Sequence, residues 1–274
     1  MPPKPKPPPP THFLCIPLVT PTSRPQLASS LSTFKEEVTL PPPQGFSLPE
    51  TAIRPLGTLH LTLGIFSFPP PAPAAAPSPL VNVTRPGESS STPGKDRLEK
   101  AKSVLAGLNL REIWDTVRKD TEPDRPTVTL KGLASMHPLH KTTVLYAPPV
   151  DEKFTGSLQK FCESVRERFL LVGEGEGEGL MVEDGRPLLL HATVVNTIYV
   201  KGRDKQRHRG KHGKERMVVE RAGDIIERYE DQVWMRDVEV EKVAICKMGA
   251  KKVVDGEGRE TGEEEYEVVG EVGF

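Results

Sequence analysis

The sequence predicts a mixed fold of strands and helices made by using one unit twice, and three observations predict it. The first is the stretch Thr58-Leu59-His60-Leu61-Thr62-Leu63-Gly64, where apolar and polar residues alternate with the period of a half-buried strand. Leu59, Leu61, Leu63 and Ile65 fall on one face, and Thr58, His60 and Thr62 on the other, so an imidazole and a hydroxyl point the same way. The second is His191-Ala192-Thr193-Val194, the same His-x-Thr pattern inside another apolar run. The third is what precedes each motif: a strand, then an amphipathic helix. Cys15 lies 45 positions before His60 and Leu145 lies 46 before His191, intervals that a duplicated unit explains.

In order along the chain, residues 12–19 read as a short buried strand. Ser23, with Pro25 in the first turn and Gln26 three residues on, has the form of a capping box. The helix it opens carries Leu27, Leu31, Phe34 and Val38 on one stripe. The His60 strand follows and stops at Pro69. A helix with Leu98, Ala101, Leu105 and Leu108 on one side is broken by Gly107. Asn109 and Glu112 then cap a short helix bearing Ile113, Trp114 and Val117. Residues 126–136 and 142–147 are strands joined through Pro138. Residues 151–170 form a helix whose buried face holds Phe154, Leu158, Phe161, Cys162, Val165 and Phe169. The His191 strand spans 188–200, a helix covers 224–229, and strands at 238–248 and 266–272 make a hairpin with an acidic, Gly-rich tip.

Composition bounds the class. A chain of 274 residues with 36% hydrophobic and 27% charged residues has room for one large domain or two lobes. The net charge of −1 hides local segregation, basic over 201–216 and acidic over 174–178 and 263–267. Residues 1–11 are nearly all Pro and Lys, with no apolar core of a secretory signal, and no apolar run reaches membrane-spanning length. Cys15, Cys162 and Cys246 are odd in number and sit among apolar neighbours, as buried thiols of a reducing compartment do, without a disulfide. The expectation is a soluble intracellular protein. Its domain spans 12–274, with a disordered tail at 1–11 and insertions at about 69–94, 173–179 and 201–216 that are too poor in apolar side chains to repay ordering.

His-x-Thr is short, and it occurs a third time as His140-Lys141-Thr142. That copy lacks an apolar central residue and follows Pro138, the setting of an exposed turn. His208 and His212 have helical spacing but no carboxylate or cysteine set beside them, so no metal site is read there. His60 and His191, each with a hydroxyl two residues on, suit a different chemistry. Opening a cyclic phosphate needs a base to activate water and an acid to protonate the leaving oxygen, and imidazoles near neutrality supply both. Hydroxyls can donate to nonbridging oxygens as charge builds. In the second strand Val195 shares the histidine face and Asn196 does not, which points to a bulge.

Together, Arg54-Pro55-Leu56-Gly57-Thr58-Leu59-His60-Leu61-Thr62 and His191-Ala192-Thr193-Val194-Val195-Asn196-Thr197 resemble the two signature strands of the two-histidine (2H) phosphoesterase superfamily. They are most similar to the branch holding the nuclear-localisation-signal-like domain of an A-kinase anchoring protein and a subunit of the activating signal cointegrator complex. The resemblance runs from about His12 to the C-terminus. It implies a bilobal α+β fold with two pseudo-symmetric lobes, each with an antiparallel sheet and flanking helices, around a central cleft. It also implies metal-independent cleavage or formation of RNA phosphodiesters at 2′,3′-cyclic phosphates or 2′,5′ linkages. His60 and His191 would be the acid–base pair, and Thr62 and Thr193 the phosphate donors. No cofactor or metal is implied, and the partners are RNA or short oligonucleotides. A noncatalytic RNA-binding or transcription or repair complex subunit that keeps the cleft is the competing class.

The basic run at 201–216 reads equally as a nucleic-acid contact, a nuclear import signal or a solvated loop, so the expected location is nucleus, cytoplasm or both. Neutralising Lys201, Arg203, Lys205 and Arg207 together should weaken RNA binding and flatten its salt dependence. RNA titrations at several ionic strengths check this, and an unchanged slope returns the run to a solvated loop.

Overall fold

A computed structural model describes residues 9–68, 93–151, 155–172, 179–182, 185–200 and 217–274. Residues 1–8 of the Pro-rich tail, nearly all of the 69–94 insertion, most of the Gly-Glu loop and the whole basic run lie outside them. The first lobe opens with β1 (His12–Pro17), α1 (Arg24–Thr39) and β2 (His60–Phe66), followed by α2 (Pro93–Ala106) and α3 (Leu110–Val117). Then come β3 (Thr127–Lys131), β4 (Ala134–Ser135), β5 (Val144–Ala147), α4 (Ser157–Leu170) and β6 (Ala192–Asn196). The chain ends with α5 (Ala222–Arg228), β7 (Val233–Glu239), β8 (Lys242–Lys247), β9 (Lys251–Val254), β10 (Glu260–Glu265) and β11 (Val268–Gly273). No described helix is long and apolar enough to cross a membrane.

The architecture is α+β, and the strand–helix–strand unit occurs twice, as β1-α1-β2 and β5-α4-β6. Its two antiparallel sheets meet edge to edge in one seven-stranded sheet of order β11-β8-β1-β2-β6-β5-β4. The join is between the two motif strands, where Leu61 pairs with Ala192. Separate two-stranded ribbons are made by β3 with β7 and by β9 with β10.

The duplication extends to an irregularity. Between Leu14 and Cys15 the register of β1 on β2 skips Leu63, and between Leu145 and Tyr146 that of β5 on β6 skips Val194. Cys15 therefore pairs with Thr62 and Tyr146 with Thr193. Tyr146, 45 positions before His191, is thus the counterpart of Cys15, and Leu145 is the counterpart of Leu14. The two units therefore correspond one residue away from the Cys15–Leu145 match that the intervals suggest. Each bulge turns the strand over locally. Beyond Leu63 the alternation inverts, so Phe66 enters the core while Ile65, expected there, is only half-buried on the motif side.

Helices cover the other face. On α1 the stripe Leu27, Leu31, Phe34 and Val38 is buried, and full burial of each such side chain stabilises by about 1.5–3 kcal/mol. Its start differs from a capping box. The Ser23 hydroxyl makes no cap bond to the helix; it donates to the Leu18 carbonyl at 2.5 Å and accepts from the Thr20 amide at 2.8 Å. Gln26 is drawn away to accept from the Arg236 amide at 2.8 Å. Asn109 does cap α3, accepting from the Glu112 amide at 3.1 Å. On α4, Phe161, Cys162, Val165 and Phe169 are buried as read, but the helix starts at Ser157 because Gly156 takes a left-handed conformation, φ 68°; Phe154 lies outside the described residues.

Two strand boundaries also move. The segment 188–200 is strand only over Ala192–Asn196, since the Asn196 side chain accepts from the Ile198 amide and bends Thr197–Tyr199 into a 3₁₀ turn. Residues 238–248 are divided between β7, which pairs with β3, and β8, which pairs with β1. The hairpin of β8 with β11 is present, and its acidic tip is itself a hairpin, β9 with β10.

That tip packs on the 3₁₀ turn Leu56–Thr58 just before β2. Its Arg24–Glu263 ion pair, 2.9 Å, is exposed and worth little. Close packing at Gly57 counts for more, since a Cβ there would lie 2.6 Å from the Glu264 carbonyl oxygen and 2.7 Å from Glu265 Cγ. Gly57→Ala should therefore cost about 1–3 kcal/mol in chemical denaturation. Gly64→Ala should cost less, because the obstacle there is the flexible thioether of Met181.

Candidate active site

Antiparallel pairing of Leu61 with Ala192 fixes what lies beside it. One step along, His60 falls opposite Thr193 and Thr62 opposite His191, all on the face away from the core. By register the four residues take the corners of a rectangle on one face, each histidine cross-strand from the other strand's threonine. Side chains directly opposite on neighbouring strands are about 4.5–5.5 Å apart at Cβ. Leu61 and Ala192, fully buried beneath, anchor the two strands. Thr58, expected on this face, is turned away: it sits in the 3₁₀ turn, buried, with its hydroxyl on the Pro55 carbonyl at 2.7 Å.

Both rings are oriented by the same device. His60 Nδ1 lies 2.7 Å from the Thr58 carbonyl and His191 Nδ1 lies 2.8 Å from the Leu189 carbonyl. A carbonyl only accepts, so Nδ1 carries the proton in each, and Nε2 is left free to take or give one. His60 packs on Phe13, ring centroids 4.7 Å apart, and meets Tyr266 edge-on at 5.3 Å. His191 meets Tyr146 edge-on at 5.5 Å.

Burial holds the His60 imidazole down to about 4, aided by the charges of His191 and Arg54 and opposed by the Thr58 carbonyl. Burial also lowers His191, against the Leu189 carbonyl. Both rings are therefore neutral at pH 7 in the free protein. Among the described residues no group of three His, Cys, Asp or Glu side chains could hold a metal ion. His140 and Lys141 lie in an exposed 3₁₀ turn, as the third motif's setting suggested, although Thr142 is buried.

The family described as AKAP7 2′5′ RNA ligase-like domain matches residues 91–261. The chain belongs to this family. The matched span holds His191 and Thr193 and stops short of His60 and Thr62. An uncharacterised protein of Schizosaccharomyces pombe is 28% identical over 137 residues, half of this chain and 55% of that protein; the chain thus spans about half the length of that relative. Two crystal structures, a phosphoesterase and LigT of E. coli in apo form, are aligned over 97% of this chain at 16% and 15% identity, covering 99% and 98% of those chains, with TM-scores of 0.38 each. At that level neither bears on function, and membership rests on the family match.

Some neighbours of the rectangle escaped sequence reasoning. Arg54 lies six residues before His60, where local pattern assigns it no role. Tyr266 and Phe13 had no local signal, being brought to His60 by the terminal hairpin and by the β1 pairing. Cys15 and Cys246 lie on this face with sulfurs 3.8 Å apart, a proximity that their spacing in sequence hid. A separate cavity of about 180 Å³, lined by Trp114, Asp151, Gln159 and Asp237 among others, holds none of the four motif residues.

A stability prediction follows from the His60 shift. The unfolded chain protonates this residue near 6.5 and the folded protein only near 4, so between those values the unfolded state binds more protons. Its contribution is whole above about pH 6.5 and is lost as pH falls toward 4. His60→Gln should flatten the pH dependence of unfolding free energy in that window; an unchanged slope contradicts the assignment.

Proposed function

We propose that this protein is an RNA phosphodiesterase acting on 2′,3′-cyclic phosphate or 2′,5′-linked ends by two-histidine acid–base catalysis that needs no metal. The observation that carries the reading is the cross-strand rectangle, with two Nε2 atoms of defined tautomer and two hydroxyls on one face. Family membership in an RNA ligase-like domain supports the substrate class.

In the reaction, one neutral imidazole removes a proton from water as its oxygen attacks phosphorus. The other, protonated, gives its proton to the departing ribose oxygen. Thr62 and Thr193 donate to nonbridging oxygens, where negative charge accumulates. His60, held low by burial and by two neighbouring charges, is the resting base. His191, which lacks the Arg54 effect, takes up the proton when the anionic substrate arrives, and hydrolysis leaves the two rings with exchanged proton states. Ligation would use the same two groups with a 5′-hydroxyl in place of water as the nucleophile, one imidazole taking its proton and the other protonating the departing ribose oxygen.

His60→Ala and His191→Ala should each lower kcat/KM by roughly 10²–10⁴, with the double variant little worse than the poorer single one because the pair acts as a unit. Thr62→Val and Thr193→Val should be milder. Cleavage of 2′,3′-cyclic and 2′,5′-linked substrates in EDTA should persist and follow a bell-shaped pH profile. If the wild type is inactive, or activity survives loss of both histidines, a noncatalytic RNA-binding subunit replaces this reading.

A further inference from the structure

Arg54 is 6% exposed, and its Nη2 makes no hydrogen bond. Among the described residues no carboxylate pairs with it. Its guanidinium lies 4.0 Å over the Tyr199 ring, and the Tyr266 hydroxyl sits against both the guanidinium and the Tyr199 hydroxyl. A buried guanidinium lacking an anion is unfavourable, and cation–π contact with one ring offsets only part of that cost. A ligand that supplied the missing charge would offset the rest.

Its place in the fold says which ligand. The Arg54 amide donates to the Val194 carbonyl at 2.8 Å, one residue past Thr193, and Ile53 bridges Val195. From there the chain runs through the 3₁₀ turn to His60, whose ring touches Tyr266. Arg54 is thus tied by its backbone to one motif strand, and its side chain reaches the histidine of the other only through Tyr266, whose ring meets His60. Tyr199, 43% exposed, covers the guanidinium from the solvent side.

We infer that Arg54 is a substrate-positioning residue that holds a phosphate oxygen of the bound nucleotide through Nη2, so that ribonucleoside monophosphates, the dianionic products of cyclic-phosphate opening, are retained more tightly than uncharged nucleosides. The inference rests on the reading of this face as a phosphodiester site. Tyr199 and Tyr266 flank the guanidinium, Nη2 is left without a partner, and the Arg54 charge is close enough to act on His60. No other described arginine combines this burial with contact to the histidine cluster.

The test is binding, which needs no turnover. Calorimetric titration with adenosine 2′-monophosphate and with adenosine is made on the wild type, Arg54→Met and Arg54→Lys. Arg54→Met should lose tenfold or more in affinity for the monophosphate and none for adenosine, and Arg54→Lys should recover part of the loss. The salt dependence of monophosphate binding should be shallower in Arg54→Met. Equal loss for both ligands, or no loss, overturns the inference. Should the variants not fold, the Arg54 Nε–H resonance of the wild type should shift with the monophosphate and stay put with adenosine; no shift overturns it equally. Arg54-dependent binding by a protein that cleaves nothing would sink the proposed function and leave this inference standing, and cleavage without Arg54 dependence would do the reverse.

Discussion

One backbone pairing decides the chemistry of this molecule. Leu61 opposite Ala192 joins two half-sheets that would otherwise each end at an open edge, and in doing so it sets a histidine against a threonine twice over. A slip of one residue would send both imidazoles into the helical layer and both apolar anchors out to the face. Register is guarded by burial, since Leu59, Leu61 and Leu63 on one strand and Ala192 and Val194 on the other are all inside. The packing that stabilises the fold and the geometry of the site are therefore one constraint.

Duplication explains why the constraint takes this form. Each half brings a strand, a helix and a bulged motif strand, with the bulge one residue past the threonine. Each histidine is steered by the carbonyl two residues before it. Divergence lies around this shared frame: Cys15 in one half answers Tyr146 in the other, and His60 rests on Phe13 and Tyr266 while His191 rests on Tyr146. These different surroundings make two imidazoles of common origin unequal, with His60 the lower.

How much could be read from the sequence follows the range of the interactions. The face shared by His60 and Thr62, the stripe on α1 and the Asn109 cap are local, and alternation or spacing revealed them. Ser23 and Gln26 had the form of a capping box, but partners distant in sequence, or in the preceding turn, claimed their side chains. Ile65 was misplaced because a bulge inverts the phase of a strand, and only a hint of the second bulge showed at Val195. Arg54 and Tyr266 are 212 positions apart in the chain, and nothing in either neighbourhood announces that they meet at His60.

The claim on which everything else stands is that the two imidazoles share one site across the seam. Histidine titration followed by NMR, in the wild type and in His191→Gln, tests it without reference to any substrate. If the rings are neighbours, removing His191 takes away a charge that depresses His60, and the His60 titration should move up from about 4. A His60 that titrates near 6.5, indifferent to the loss of His191, would contradict the register, the rectangle and the chemistry built on them.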